Sequence, residues 1–103
     1  MLSPGIDDMD YGAIKFSGHA VRQMFARAVS VDDVAGVVRD GEIIKEYPAD
    51  EPYPSFLMLG FVRGSAVHVV VALDEATKTA IVITAYLPDE QLWSDDFRRR
   101  RGE

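Results

Sequence analysis

Cysteine is absent from the 103 residues, which excludes disulfides, thiolate metal sites and a cysteine nucleophile. Histidine is scarce: His19 and His68, 49 positions apart, cannot form a structural zinc site alone. No metal and no cofactor is expected. No run approaches the roughly 20 apolar residues of a membrane-spanning helix, so no membrane partner is expected either. The N-terminal residues have neither the basic start nor the apolar run of a signal peptide, which points to a cytoplasmic location. Acids are missing from residues 11–30, which carry Lys15, Arg22 and Arg27. Residues 31–55 reverse this with seven acids against Arg39 and Lys45. Four consecutive arginines, Arg98 to Arg101, follow near the end. A net charge of −6 argues against broad, non-specific nucleic-acid binding, but a local basic patch can still hold a short piece.

What is present is a core. Hydrophobic residues make up 48% of the chain and charged residues 27%, ordinary values for one soluble domain. Residues 66–86 contain two β-branched runs separated by a short polar break, a hairpin signal. Both runs are apolar almost throughout, so both faces of the sheet should be covered. His68, Thr84 and Tyr86 are the exceptions. Pairing Asp74 with Lys78 sets His68 opposite Thr84 and gathers the three polar side chains on one face. Val67, Val69, Val71, Ile81 and Ile83 then share the other, with Val69 and Ile83 at its centre. A loop one residue longer would turn Thr84 and Tyr86 away.

The remaining elements follow in order. Residues 1–12 read as a flexible acidic lead-in, 13–98 as the domain and 99–103 as a basic tail. The Ile14–Phe16 stretch is too short to assign. Ser17 is a plausible N-cap for a helix over 18–28, with Ala20, Val21, Met24, Phe25 and Ala28 as its packing stripe. His19 falls in the first turn, where the macrodipole disfavours imidazolium, with Arg22 and Arg27 nearby. Ser30 and Asp33 resemble a capping box opening a helix over 31–40 that buries Val31, Val34, Val37 and Val38, with Gly41 just past its end. Strands are expected at 42–47, 56–63, 66–74 and 79–86. A two-residue turn at Gly64 and Ser65 would set Phe61 opposite His68. Residues 89–101 are expected to form a short helix docked by Trp93 and Phe97. Helices first and strands after predict an α+β fold, two N-terminal helices on a four-stranded antiparallel sheet, closed by that C-terminal helix.

An ordered set of residues resembles a known family. It comprises Ser17, His19, Ala20, Met24 and Arg27, then Ser30, Asp33 and Val34, then Gly41 with Glu42, Ile43 and Ile44. Tyr47-Pro48, Tyr53-Pro54-Ser55, Leu59-Gly60, His68 through Ala72, Thr84-Ala85-Tyr86, Pro88 and Trp93 continue it. In this order and spacing they resemble the DUF4258 family over roughly residues 14–98. A departure is Ala28-Val29, where that family commonly has Gly-Ile. The family is in turn similar to small bacterial toxins of the RelE and BrnT type, with two helices on a curved antiparallel sheet. The resemblance implies ribonuclease activity and an antitoxin partner, in some cases a small zinc-binding protein.

Two functions follow for test. Metal-independent RNA cleavage needs a base, an acid and cations for the developing phosphorane charge. His19 or His68 would act as base or acid, Arg27 and Arg22 as phosphate clamps and Tyr86 as a donor, with Thr84 beside it. Tyr53 or Trp93 would stack a base. The alternative is a non-catalytic binding module whose sheet face receives a partner protein or small ligand, with His68 and Tyr86 as hydrogen-bonded core residues. An accessible histidine beside an arginine favours cleavage. A buried His68 with a backbone partner favours the module.

Overall fold

The computed structural model describes residues 11–102. The expected flexible lead-in lies, but for its last two residues, outside this span. The element order is β1 (Ala13–Phe16), α1 (Gly18–Ala26), α2 (Val31–Asp40), β2 (Glu42–Tyr47), β3 (Ser55–Val62), β4 (Ser65–Asp74) and β5 (Thr79–Tyr86). The sheet has five strands in the order β1-β5-β4-β3-β2. This corrects the expected four-stranded antiparallel sheet in two respects. The unassigned stretch before α1 is a strand, and it pairs parallel with β5, Ile14 opposite Ala80. Residues 89–101 form turns and a bridge between Trp93 and Arg100 rather than a helix. Asp89, Ser94 and Asp96 bind nearby backbone N–H groups there, competing with helical hydrogen bonds.

Both helices start where hydroxyl caps allow. The Ser17 side chain accepts from Ala20 N–H at 3.0 Å. Ser30 accepts from Asp33 N–H while Asp33 accepts from Ser30 N–H, each at 3.0 Å, a full capping box. α1 ends at Ala26, short of 28, because Ala28 turns left-handed at φ 55° and Val29 N–H returns to the Met24 carbonyl. Gly41 has an extended backbone, φ −74°, so left-handed capping is not its role. A Cβ there would lie 2.5 Å from the Val37 carbonyl oxygen, so glycine admits close contact between α2 and the sheet.

The main core lies between the helices and one sheet face. Ala20 and Met24 of α1 and Val34, Val37 and Val38 of α2 meet Phe56, Met58, Val67, Val69, Val71, Leu73, Ala80, Val82 and Ala85. Each fully buried valine contributes roughly 1.5–3 kcal/mol. The expected helical stripes are narrower than the sequence suggests. Val21, Phe25 and Val31 remain exposed, because α1 packs chiefly on β5 and α2 chiefly on β3 and β4.

The central hairpin departs from both expected registers. Asp74 Oδ1 accepts from Ala76 and Thr77 N–H, and Lys78 turns left-handed, which lengthens the loop by one residue. Asp74 therefore pairs with Thr79. Alone, this would turn Thr84 and Tyr86 off the His68 face. Between Val70–Thr84 and Val71–Val82, however, Ile83 is bulged out, and the pairing resumes with His68 opposite Tyr86. The bulge restores the shared polar face and removes Ile83 from the core, leaving it 38% exposed. The Ser17 hydroxyl donates to the freed Ile83 carbonyl at 2.8 Å. At the other hairpin, Arg63 and Gly64 form the turn, so Leu59 rather than Phe61 faces His68. No helix among the described residues is long and apolar enough to cross a membrane.

Candidate functional site

His68 projects from the sheet face opposite the helices and is completely buried. Its ring meets Trp93 edge-on at 4.4 Å between centroids and Tyr86 at 5.3 Å. Nε2 lies 2.9 Å from the Phe97 carbonyl oxygen, and Nδ1 lies 3.1 Å from the Tyr86 hydroxyl. A carbonyl only accepts, so Nε2 carries the hydrogen and Nδ1 accepts from Tyr86. Burial pushes the imidazole pKa below its ordinary value, partly opposed by the Phe97 carbonyl. Burial likewise raises the Tyr86 phenol, with a smaller contribution from Tyr47, against a lowering effect of Arg100. The pair is thus neutral, each ring nitrogen has a partner, and His68 offers no free proton acceptor.

What buries this face is the segment 88–102. It holds its own shape through internal bonds: Trp93 N–H to the Asp89 carbonyl, Ser94 N–H to that of Arg99, and Arg101 N–H to that of Leu92. Phe97 is left-handed at φ 61°, which accompanies the inward placement of its carbonyl. Arg98 grips Glu42 with Nη2–Oε1 at 2.7 Å and Nε–Oε2 at 3.0 Å. That bond holds the Glu42 carboxyl below its usual range, desolvation acting against it. Arg101 pairs with Asp95 at 2.9 Å.

Between this segment and strand β2 opens a cleft of about 930 Å³. Tyr47, Tyr86 and Trp93 line it together with Lys45, Arg98, Arg99, Arg100 and Arg101. Arg98 and Arg101 are ion-paired; Lys45, Arg99 and Arg100 form no ion pair among the described residues. Instead Lys45 Nζ sits 5.7 Å from the Tyr47 ring centroid and the Arg100 guanidinium 5.8 Å from that of Trp93. A smaller groove of about 590 Å³ lies beside α2, lined by Asp32, Asp33, Asp40 and Glu42 with Arg63 and Arg98, which pair with Asp33 and Glu42 and leave an excess of carboxylate. Its carboxylates repel phosphate; the cleft attracts it.

The sequence-predicted residues are only partly brought together. Tyr86 and Trp93 line the cleft, but Trp93 is buried against His68. Thr84 shares their face, opposite Val70. His19 and Arg22 are exposed on α1 and Arg27 at its C-terminal cap, and the buried side of that helix packs on the other face of the sheet. The sheet therefore separates them from His68 and Tyr86. Tyr53 hydrogen-bonds Asp74, whose charge raises its pKa, and Asp74 is six residues, about 20 Å, along β4 from His68. Lys45, Tyr47 and the Phe97 carbonyl carry no sequence signal for this site, and Arg99 to Arg101 belong to the cleft wall rather than to a tail. The available signal is the arginine run that begins five residues after Trp93.

No curated protein and no solved structure matches the chain. One family model, described as "Domain of unknown function (DUF4258)", matches residues 16–87. The match includes His68, Tyr86, Lys45 and Tyr47 and ends just before the covering segment. With most of its length matched, the chain belongs to the DUF4258 family.

Proposed function

We propose that this domain binds single-stranded RNA in the cleft between β2 and residues 88–102. The carrying observation is that Lys45, Arg99 and Arg100, none of them ion-paired among the described residues, surround a cleft lined by Tyr47 and Tyr86 in a protein of net charge −6. Cations track the phosphates, and an unpaired base stacks on an aromatic face, a sequence-tolerant mode of recognition. The resemblance of DUF4258 domains to RelE- and BrnT-type toxins, read from the sequence alone, makes RNA rather than DNA the first ligand to test. The domain acts as a binding module: its buried histidine is engaged on both nitrogens, and no proton acceptor faces the cleft from it. Cleavage of the RelE or BrnT kind, and with it an antitoxin partner, asks more of the same cleft, namely a freed base beside the arginines.

The test is fluorescence anisotropy with a labelled single-stranded RNA over a salt series, followed by a gel of the same RNA. Three phosphate contacts give a log–log salt slope near roughly −2 for a single strand, and R99Q with R100Q together should reduce it by about 1.4. Binding that is absent or independent of salt refutes the proposal. Intact RNA after binding supports the module; shortened RNA moves the reading to a ribonuclease.

A further inference from the structure

Residues 88–102 supply most of the cleft's charge, yet they attach to the sheet by few bonds. Among the described residues two hydrogen-bonded contacts tie the segment down: the Phe97 carbonyl on His68, and Arg98 on Glu42. The second is a bidentate pair, but it is exposed on both sides and therefore screened by salt. The first is buried, and Trp93 packs edge-on against the same imidazole. Phe97 immediately precedes the arginines, so the position of its carbonyl sets where Arg99 and Arg100 emerge.

We infer that His68 is a positioning residue for the cleft, fixing the arginine wall through its Nε2–H bond to the Phe97 carbonyl. This deepens the RNA-binding reading and rests on it for the ligand, but the positioning itself is a property of the segment. The Tyr86 hydroxyl completes the device: by donating to Nδ1 it selects the tautomer whose hydrogen sits on Nε2, facing the carbonyl. An apolar residue in place of His68 would fill the core and leave the carbonyl unbonded. The wall would then be assembled only part of the time, and apparent affinity falls by the fraction assembled.

Two readouts separate the segment from its ligand. Trypsin cleaves after arginine and needs a locally freed backbone, so cleavage after residues 98–101, mapped by mass spectrometry, reports segment release directly. RNA anisotropy reports the cleft. For His68→Leu the expected result is roughly tenfold faster cleavage and roughly tenfold weaker RNA affinity, as for a competent state reduced to a tenth. His68→Gln, whose amide N–H reaches towards the carbonyl, should restore most of both. Wild-type protease resistance in His68→Leu overturns the inference, and so does equal loosening in Leu and Gln variants. Should His68→Leu not fold, the imidazole ¹⁵N spectrum of the wild type decides. A slowly exchanging Nε2–H supports positioning; an Nδ1–H tautomer or fast exchange overturns it. If wild-type protein binds no RNA while His68→Leu still releases the segment, positioning stands and only the proposed ligand is lost.

Discussion

The two faces of the sheet are sealed by different physics. On the helix side, Met24, Val34, Val37 and Val38 close over Met58, Val67, Val69 and Val71 by apolar packing. On the other side, among the described residues, a segment without regular structure is held by one imidazole, the ring of Trp93 edge-on against it and an exposed ion pair. Apolar packing is non-directional and scales with area, so it supplies stability. Hydrogen bonds add modestly but specify geometry, so the second face supplies position. Side chains on the lightly held face can shift without unfolding the domain.

The sharpest way to break this contrast is to empty the apolar side. Met58→Ala should cost about 2–5 kcal/mol, the range for truncating a buried long side chain. Ile83→Ala, at the bulge, should cost under about 1 kcal/mol because its side chain is already part-exposed. Denaturant midpoints measure both, and equal losses would show that the bulge is absent in solution.

The next effect belongs to the polar side and depends on pH. Burial depresses the folded-state pKa of His68, so the unfolded chain binds its proton first on acidification. Stability is therefore unaffected by this group above its unfolded pKa near about 6.5, and falls as pH drops below it, by at most about 1.4 kcal/mol per unit until the folded pKa is passed. His68→Gln should lack that component. Urea melts at pH 7.5 and 5.5 compare the two, and parallel declines would mean His68 does not titrate across folding.

The smallest effect concerns Ala28. It holds a left-handed backbone at φ 55°, where glycine carries no Cβ penalty. Ala28→Gly should raise stability by about 0.5–1 kcal/mol, seen as a higher melting temperature with unchanged trypsin cleavage at the covering segment. A lower melting temperature would show that the turn between the helices relaxes from this geometry.

Much of the frame was legible in the residues. Hydroxyl caps at Ser17 and Ser30 locate both helix starts, β-branched runs locate β4 and β5, and the prolines of 48–54 separate β2 from β3, because these signals act over a few neighbouring positions. His68, Thr84 and Tyr86 were placed on one face, but by a register that does not occur: a longer loop and a bulge at Ile83 offset each other. Strand β1 escaped because four residues carry little periodicity and its partner lies more than 60 positions away. The grouping of His19, Arg22 and Arg27 with His68 failed since helical and strand periods say which face a residue takes, never which face of the sheet the helix covers.

By itself the sequence determined the local devices: caps, turns, apolar alternation, and a charge distribution that leaves four arginines behind a tryptophan. Only the tertiary structure decided that those arginines fold back over β2, and that the buried imidazole receives a carbonyl from 29 residues further on. The physical reason is sequence separation. Local preferences are summed over adjacent residues, whereas a bond between distant groups depends on every intervening turn and bulge, and a one-residue slip redirects it.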